Sequence, residues 1–188
     1  MKLAEAKLES MSVYSQSRYI DLPKLSKELA NDFEKRIWRE RCHYTAEGQI
    51  FIPPMQFANS LKEAAKYLNL QVPGQGKRTW TKNFEAGVLV ADPLYLPEQK
   101  DTVPGEWVLV PSDGRRGGGT RVPKCFPKIE KWTGVVTYWI ADDLITKDVF
   151  SQVLEASGKL IGIGRFRPRN LGYYGRFTIK DLKWSEAV

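Results

Sequence analysis

The densest chemistry in the sequence lies in GKLIGIGRFRPRNLGYYGRF, residues 158–177. Here Gly158, Gly162, Gly164, Gly172 and Gly175 alternate with Arg165, Arg167, Arg169 and Arg176 and with the rings of Phe166, Tyr173, Tyr174 and Phe177, without one acidic residue. Glycine lets backbone amides approach a ligand and reach positive φ, guanidinium forks grip phosphate, and aromatic faces stack on bases. Together these residue types point to nucleic acid, and to a single strand or RNA more than to a duplex groove.

Two further stretches share that chemistry. GQGKRTW, residues 74–80, carries Lys77, Arg78 and Trp80; it lacks the glycine spacing and the Gly-Lys-Ser/Thr ending of a phosphate loop and follows a helix, so it reads as a backbone clamp or stacking strip, the other reading of Trp80 being a loop tryptophan folded onto the core. SDGRRGGGTRVPK, residues 112–124, places Arg115, Arg116 and Arg121 around three consecutive glycines, which no regular element would tolerate, and reads as a loop that orders on a ligand. The chain has a formal charge of +7 and a pI near 9.4. The three basic stretches hold more than the whole of that excess, so the rest of the chain is net acidic and the basicity is concentrated where a polyanion would be gripped.

Catalytic and metal chemistry is sparse. His43, in RERCHY, is the only histidine and the one side chain suited to general acid–base work near neutrality; the other reading is a surface or partly packed residue. Lys62, Lys77, Tyr173 and Tyr174 are the substitutes a metal-independent ribonuclease could draw on. Cys42 and Cys125 have no zinc spacing and read as reduced thiols. Asp142 and Asp143 would point to opposite faces of a strand, so they read as turn and cap residues. The sequence therefore calls for no metal and no cofactor.

Those residues need a scaffold. A strand over residues 12–20 is expected first. A helix then runs from Asp21, with Pro23 in its first turn, to about Arg41, with Leu22, Leu25, Leu29, Phe33 and Ile37 as its apolar stripe. A short strand over 48–54, a helix over 55–68 and a loop over 70–83 come next. Strands over 85–91 and 105–110, an apolar strand over 133–141, a helix capped by Thr146 that stops at Gly158, and a last strand from Gly172 complete the series. No internal repeat or linker divides the chain, so residues 1–188 read as one domain. The order predicts an α+β fold: a ferredoxin-like, RRM-like β-α-β-β-α-β core with loop insertions, its mostly antiparallel sheet carrying helices on one face. The open sheet face, or the cleft beside the glycine-rich loop, would then bind. No run of apolar residues reaches the length of a signal peptide or a membrane span, so a cytoplasmic protein with no membrane partner is expected.

The chain resembles the RAMP superfamily of CRISPR-associated proteins, which comprises crRNA-binding backbone subunits and crRNA-processing endoribonucleases. GKLIGIGRFRPRNLGYYGRF looks like that superfamily's glycine-rich loop. FIPPMQFANSLKEAAKYL, residues 51–68, looks like its short strand ending in Ile-Pro and running into a helix with a Ser-Leu-Lys triplet, here Ser60, Leu61 and Lys62. Pro54 stands where a glycine is usual, Glu63 where a second small residue is, and the early glycine-bearing strand motif is absent; a phage-borne relative fits as well as a CRISPR subunit. The resemblance implies an RNA-binding ribonucleoprotein subunit.

The resulting expectation is a non-catalytic binder of single-stranded, crRNA-like RNA, a homo-oligomer along the strand or one subunit of a multi-protein complex. Its site residues would be Arg165, Arg167, Arg169, Arg176, Tyr173, Tyr174, Phe166, Arg115, Arg116, Arg121, Lys77, Arg78, Trp80 and Lys62. The alternatives are an endoribonuclease using His43 or a tyrosine, and a phage counter-defence protein that engages a CRISPR effector complex.

Overall fold

The structure is a computed structural model describing residues 1–114 and 119–186. Its central strand is one that the sequence hides. β1 (Lys2–Ser10) buries Ala4, Ala6 and Leu8 completely while Lys7 and Glu9 face water, a two-residue alternation whose inner face is mostly alanine. Of the strand expected over residues 12–20, only β2 (Tyr14–Ser15) forms.

The helix expected from residue 21 begins at α1 (Ala30–Ile37) and ends in a 3-10 turn, Trp38–Arg41. Leu22, Leu25 and Leu29 are 44%, 61% and 70% exposed. A stripe with nothing to pack on gives a helix little stability, and Lys27 at φ 61° breaks the helical path outright. Elsewhere expectation and structure agree more closely. β3 (Gln49–Ile52) leads through Pro53 into α2 (Pro54–Leu68), where proline occupies the first turn and needs no N–H partner. α3 (Thr81–Gly87) and β4 (Val88–Leu89) replace the longer expected strand, and β5 (Leu94–Gln99) forms between the strands expected over 85–91 and 105–110.

β6 (Gly105–Pro111) and β7 (Arg121–Ile129) make a hairpin, followed by β8 (Thr133–Ile140). α4 (Lys147–Ala156) starts where the Thr146 side chain accepts from the Val149 amide. It passes Gly158 as a π-turn, Ser157–Ile161, and stops at Gly162, four residues later than expected. A short 3-10 turn, Pro168–Asn170, precedes β9 (Phe177–Glu186), which begins later than Gly172.

The main sheet has the order β4-β8-β1-β9 with every neighbouring pair antiparallel. In chain order this is β1, helix, β4, β8, α4, β9, with the third strand between the first two and the first between the last two, the ferredoxin-like arrangement the sequence predicts. Phe57, Leu61, Ala64 and Ala65 of α2 and Phe150, Val153 and Leu154 of α4 fill the helix side against Ala4, Ala6, Leu8, Val136, Tyr138, Ile140 and Phe177. Small residues on β1 and α2 allow the layers to close, and the buried Ser60 hydroxyl donates to the Ser157 carbonyl, 3.1 Å away, pinning α2 to the end of α4.

Two insertions decorate this core, one between β1 and α2 and one between β4 and β8. They are stitched to each other: β2 pairs with β7, and β3 with β5. A buried ion cluster adds to the seam. Glu34 of α1 accepts from Arg41 (2.6 and 3.1 Å), from Lys124 of β7 (3.0 Å) and from the Cys125 amide (2.9 Å). The exposed side of the main sheet is charge-balanced. Lys7 opposes Asp181, Glu5 opposes Lys183, and Lys180 pairs with Glu9 at 3.1 Å, which is no platform for a polyanion.

Candidate nucleic-acid interface

The glycine-rich segment hangs from β2 as a braced ledge. The Arg165 amide donates to the Ser15 carbonyl (2.8 Å) and the Gly175 amide to the Val13 carbonyl (2.6 Å), while the Ile163 amide donates to the Gly175 carbonyl (3.0 Å) and the Tyr174 amide to the Phe166 carbonyl (3.0 Å). Two glycines make the close approach possible. A Cβ on Gly164 would lie 2.4 Å from the Ser15 carbonyl oxygen, and one on Gly175 would lie 1.8 Å from that of Ile163, both at φ above 70°. Phe166 adopts φ 56° without being glycine, a conformation that costs free energy and persists only where its surroundings enforce it. The residue is 38% exposed, and its ring meets Tyr173 and Tyr174 edge-on at 5.1 and 5.5 Å, so neither tyrosine lies stacked on its face.

The arginines divide into braced and free. Arg165 reaches Glu106 of β6 (3.1 Å) and Ser15 Oγ (3.2 Å) and lies 3.9 Å over the Phe126 ring, while the Tyr174 hydroxyl donates to the second Glu106 oxygen at 2.7 Å. Burial lowers the Arg165 pKa somewhat; burial and the Glu106 bond push the Tyr174 hydroxyl up to about 12, so it stays neutral. Arg167 pairs with Glu63 of α2 at 3.1 Å, and Arg169, largely exposed, lies 3.4 Å from the same carboxylate. Arg176 is exposed and meets no acid among the described residues, and Tyr173 is 64% exposed.

Beside the ledge lies a cavity of about 310 Å³ lined by Ser17, His43, Gln56, Gly164, Arg165, Phe166, Arg167 and Asn170. The fold thus brings His43 to the glycine-rich loop across more than a hundred residues of sequence. A buried polar network sets the floor. The Tyr14 hydroxyl donates to Gln56 Oε1 (2.9 Å) and accepts from Gln16 Nε2 (3.0 Å), which also donates to the Phe51 carbonyl (2.7 Å), while Gln16 Oε1 accepts from the His43 amide (2.6 Å). Burial raises the Tyr14 pKa far above its ordinary value, and burial followed by the charge of Arg18 lowers that of His43. At neutral pH both groups are uncharged.

The other sequence candidates lie apart from this cleft. Trp80 corrects its expected role: at 5% exposure it is a core residue at the start of α3, and a ring buried in the core cannot also stack on a base. Lys77 and Arg78 are exposed in the turn after α2, where Arg78 bonds Gln75 and approaches Asn83; α2 separates that turn from Gln56 by roughly 20 Å. Arg121 is exposed at the start of β7, and Lys62 is half-buried on α2. Arg115 and Arg116 lie outside the described residues. Asp142 is engaged as a turn residue, accepting from the Asn83 amide group and the Leu144 N–H.

Sequence reasoning missed Ser17, Gln56 and Asn170, the polar lining, and Glu63 and Glu106, the counter-ions. Glu63 carried the one usable signal: an acid in the place where the Ser-Leu-Lys helix usually has a small residue, opposite a loop of arginines.

No protein-family model and no curated protein matches the chain. Among solved structures, it is similar to a chain in the cryo-EM structure of the Type III-B Cmr-beta bound to cognate target RNA, with TM-score 0.53 and 13% identity over 97% of this chain and 60% of that one. The chain therefore spans about 60% of that protein's length. The crystal structure of Cmr6 from Pyrococcus furiosus aligns with TM-score 0.48 and 14% identity over 94% of this chain and 98% of Cmr6. The Cmr-beta likeness is one of fold, and it agrees with the ferredoxin-like strand order described above. Among the described residues no helix is long and apolar enough to cross a membrane, and no cluster of His, Cys, Asp and Glu is built to hold a metal ion.

Proposed function

We propose that the chain is a non-catalytic single-stranded RNA-binding module that works as a subunit of a CRISPR-type ribonucleoprotein, with the strand crossing the ledge formed by residues 162–176. The observation that carries this reading is Phe166, held at positive φ with its ring exposed, over a cavity whose lining includes two arginines and no carboxylate. Glu106 and Glu63 hold the arginines from behind, so the surface offered to a ligand is preformed. The fold shared with a chain from a target-RNA-bound assembly supports the same reading.

The division of the arginines makes the test specific. Arg165 and Arg167 are paired and less than a fifth exposed, whereas Arg18 and Arg176 face solvent and Arg169, 60% exposed, lies 3.4 Å from Glu63, so phosphate neutralisation falls on these three exposed guanidinium groups. In fluorescence anisotropy with a labelled single-stranded RNA, each of Arg18→Ala, Arg169→Ala and Arg176→Ala lowers the slope of log K against log salt by about 0.7. Unchanged slopes in all three would remove the strand from this ledge.

One observation favours a nuclease as a second reading: neutral His43 lines the same cavity as Arg165 and could take a proton from a 2′-hydroxyl. Cleavage also needs an acid for the departing oxygen. The other ionisable groups of the lining are arginines, which do not give up protons, and Tyr14 is buried beneath it with its hydroxyl proton engaged by Gln56. Labelled hairpin and linear RNAs incubated with excess protein, with and without Mg²⁺, should come back intact. Discrete products that vanish in His43→Ala would establish the nuclease instead.

A further inference from the structure

We infer that the cavity beside Phe166 is a base-reading pocket that takes one unstacked nucleobase of the bound strand and prefers guanine. This deepens the RNA-binding reading and rests on it. A bound strand could offer this cavity either of two groups, a phosphate or a base.

Charge argues against a phosphate. The two guanidinium walls are each matched by a carboxylate just outside the lining, Arg165 by Glu106 and Arg167 by Glu63, and His43 is uncharged at neutral pH. A buried anion here would meet two neutral ion pairs and lie near both carboxylates. A neutral, planar, hydrogen-bonding ligand meets no such opposition. At about 310 Å³ the cavity sits at the small end of ligand sites, the range of a single heterocycle. Phe166 supplies an aromatic surface at its edge.

Hydrogen-bonding inventory then argues for an acceptor-rich base. Arg165 spends Nε on Ser15 and Nη2 on Glu106, which leaves Nη1; the Nε of Arg167 is buried with no acceptor among the described residues. Gln56 spends its carbonyl on the Tyr14 hydroxyl, which leaves its NH₂ as the half without a partner among the described residues. Ser17 and neutral His43 can each donate or accept. Among these side chains donors dominate, and guanine is the base with two adjacent acceptors, O6 and N7, on one edge; adenine would set its amino group against these donors.

The experiment uses the full-length protein and oligouridine 12-mers carrying one central G, A, C, U or abasic site, titrated at matched salt. The G-containing strand should bind about tenfold tighter than the A-containing one, and the abasic strand weakest. Gln56→Glu keeps an oxygen for the Tyr14 hydroxyl while replacing the NH₂ donors with an acceptor. It should abolish the preference for G, its added charge weakening all five strands alike, with folding checked by circular dichroism. If Gln56→Glu does not fold, Ser17→Ala, at an exposed position, carries the same test of selectivity. Equal affinity for all five strands, a preference for A, or a G preference indifferent to these variants would overturn the pocket while RNA binding stands. Failure of every strand to bind would overturn both.

Discussion

Gly175 shows how the site is constrained at the scale of one residue. Its backbone donates to Val13 and accepts from Ile163, and a methyl group there would overlap the Ile163 carbonyl at a φ that side chains avoid. Gly175→Ala is expected to cost about 2–4 kcal/mol of stability, read as a lowered Tm and denaturant midpoint, because backbone on both sides must shift. A variant as stable as the parent would mean that the ledge is soft and that Phe166 is not held by it. The glycines, arginines and rings of this segment could be read from the sequence as ligand-facing chemistry. What could not be read is that Arg165 and Arg167 are braced: their carboxylates come from β6 and α2, and only the fold makes Glu106 and Glu63 their neighbours.

At the scale of elements, periodicity succeeded where burial enforced it and failed where burial was absent. α2 and α4 appear within a residue or two of their expected starts because each lays an apolar face on the sheet. Leu22, Leu25 and Leu29 have helical spacing but no surface to meet, and β1 escaped notice because alanine marks its buried face so faintly. α1 is fixed less by its stripe than by Glu34. Burial drives that carboxyl's pKa up, but the bonds from Arg41, the Cys125 amide and Lys124 outweigh burial and hold it below the ordinary value of 4.5. A depressed pKa means that the cluster's stabilisation is complete above the ordinary glutamate range and is lost as the pH falls through the folded-state pKa. Thermal midpoints should therefore drop between pH 5 and pH 3 more steeply in the parent than in Glu34→Gln, which has no proton to take up. Equal slopes would show that Glu34 gains nothing from its partners.

Across the whole molecule, the cavity exists only because three separate parts meet. The insertion after β1 brings Ser17 and His43, α2 brings Gln56, and the connection after α4 brings residues 164–170. Tyr14 is the joint: its hydroxyl links Gln16, which holds the His43 backbone, to Gln56. Nothing in the sequence marked it, since its role depends on residues two and forty-two positions away being drawn to one point. Tyr14→Phe keeps the ring in the core and removes only the hydroxyl, leaving Gln56 Oε1 without its donor and Gln16 Nε2 with one acceptor in place of two. A cost of about 1–3 kcal/mol follows from those partly unsatisfied groups. Because Gln56 is then free to turn, the preference for a G-containing strand should shrink, while the salt slope, set by the exposed Arg18, Arg169 and Arg176, should not move. If stability falls and base preference does not, Tyr14 merely supports the fold. If both fall together with the slope unchanged, the network beneath the cavity orients the groups that read the base.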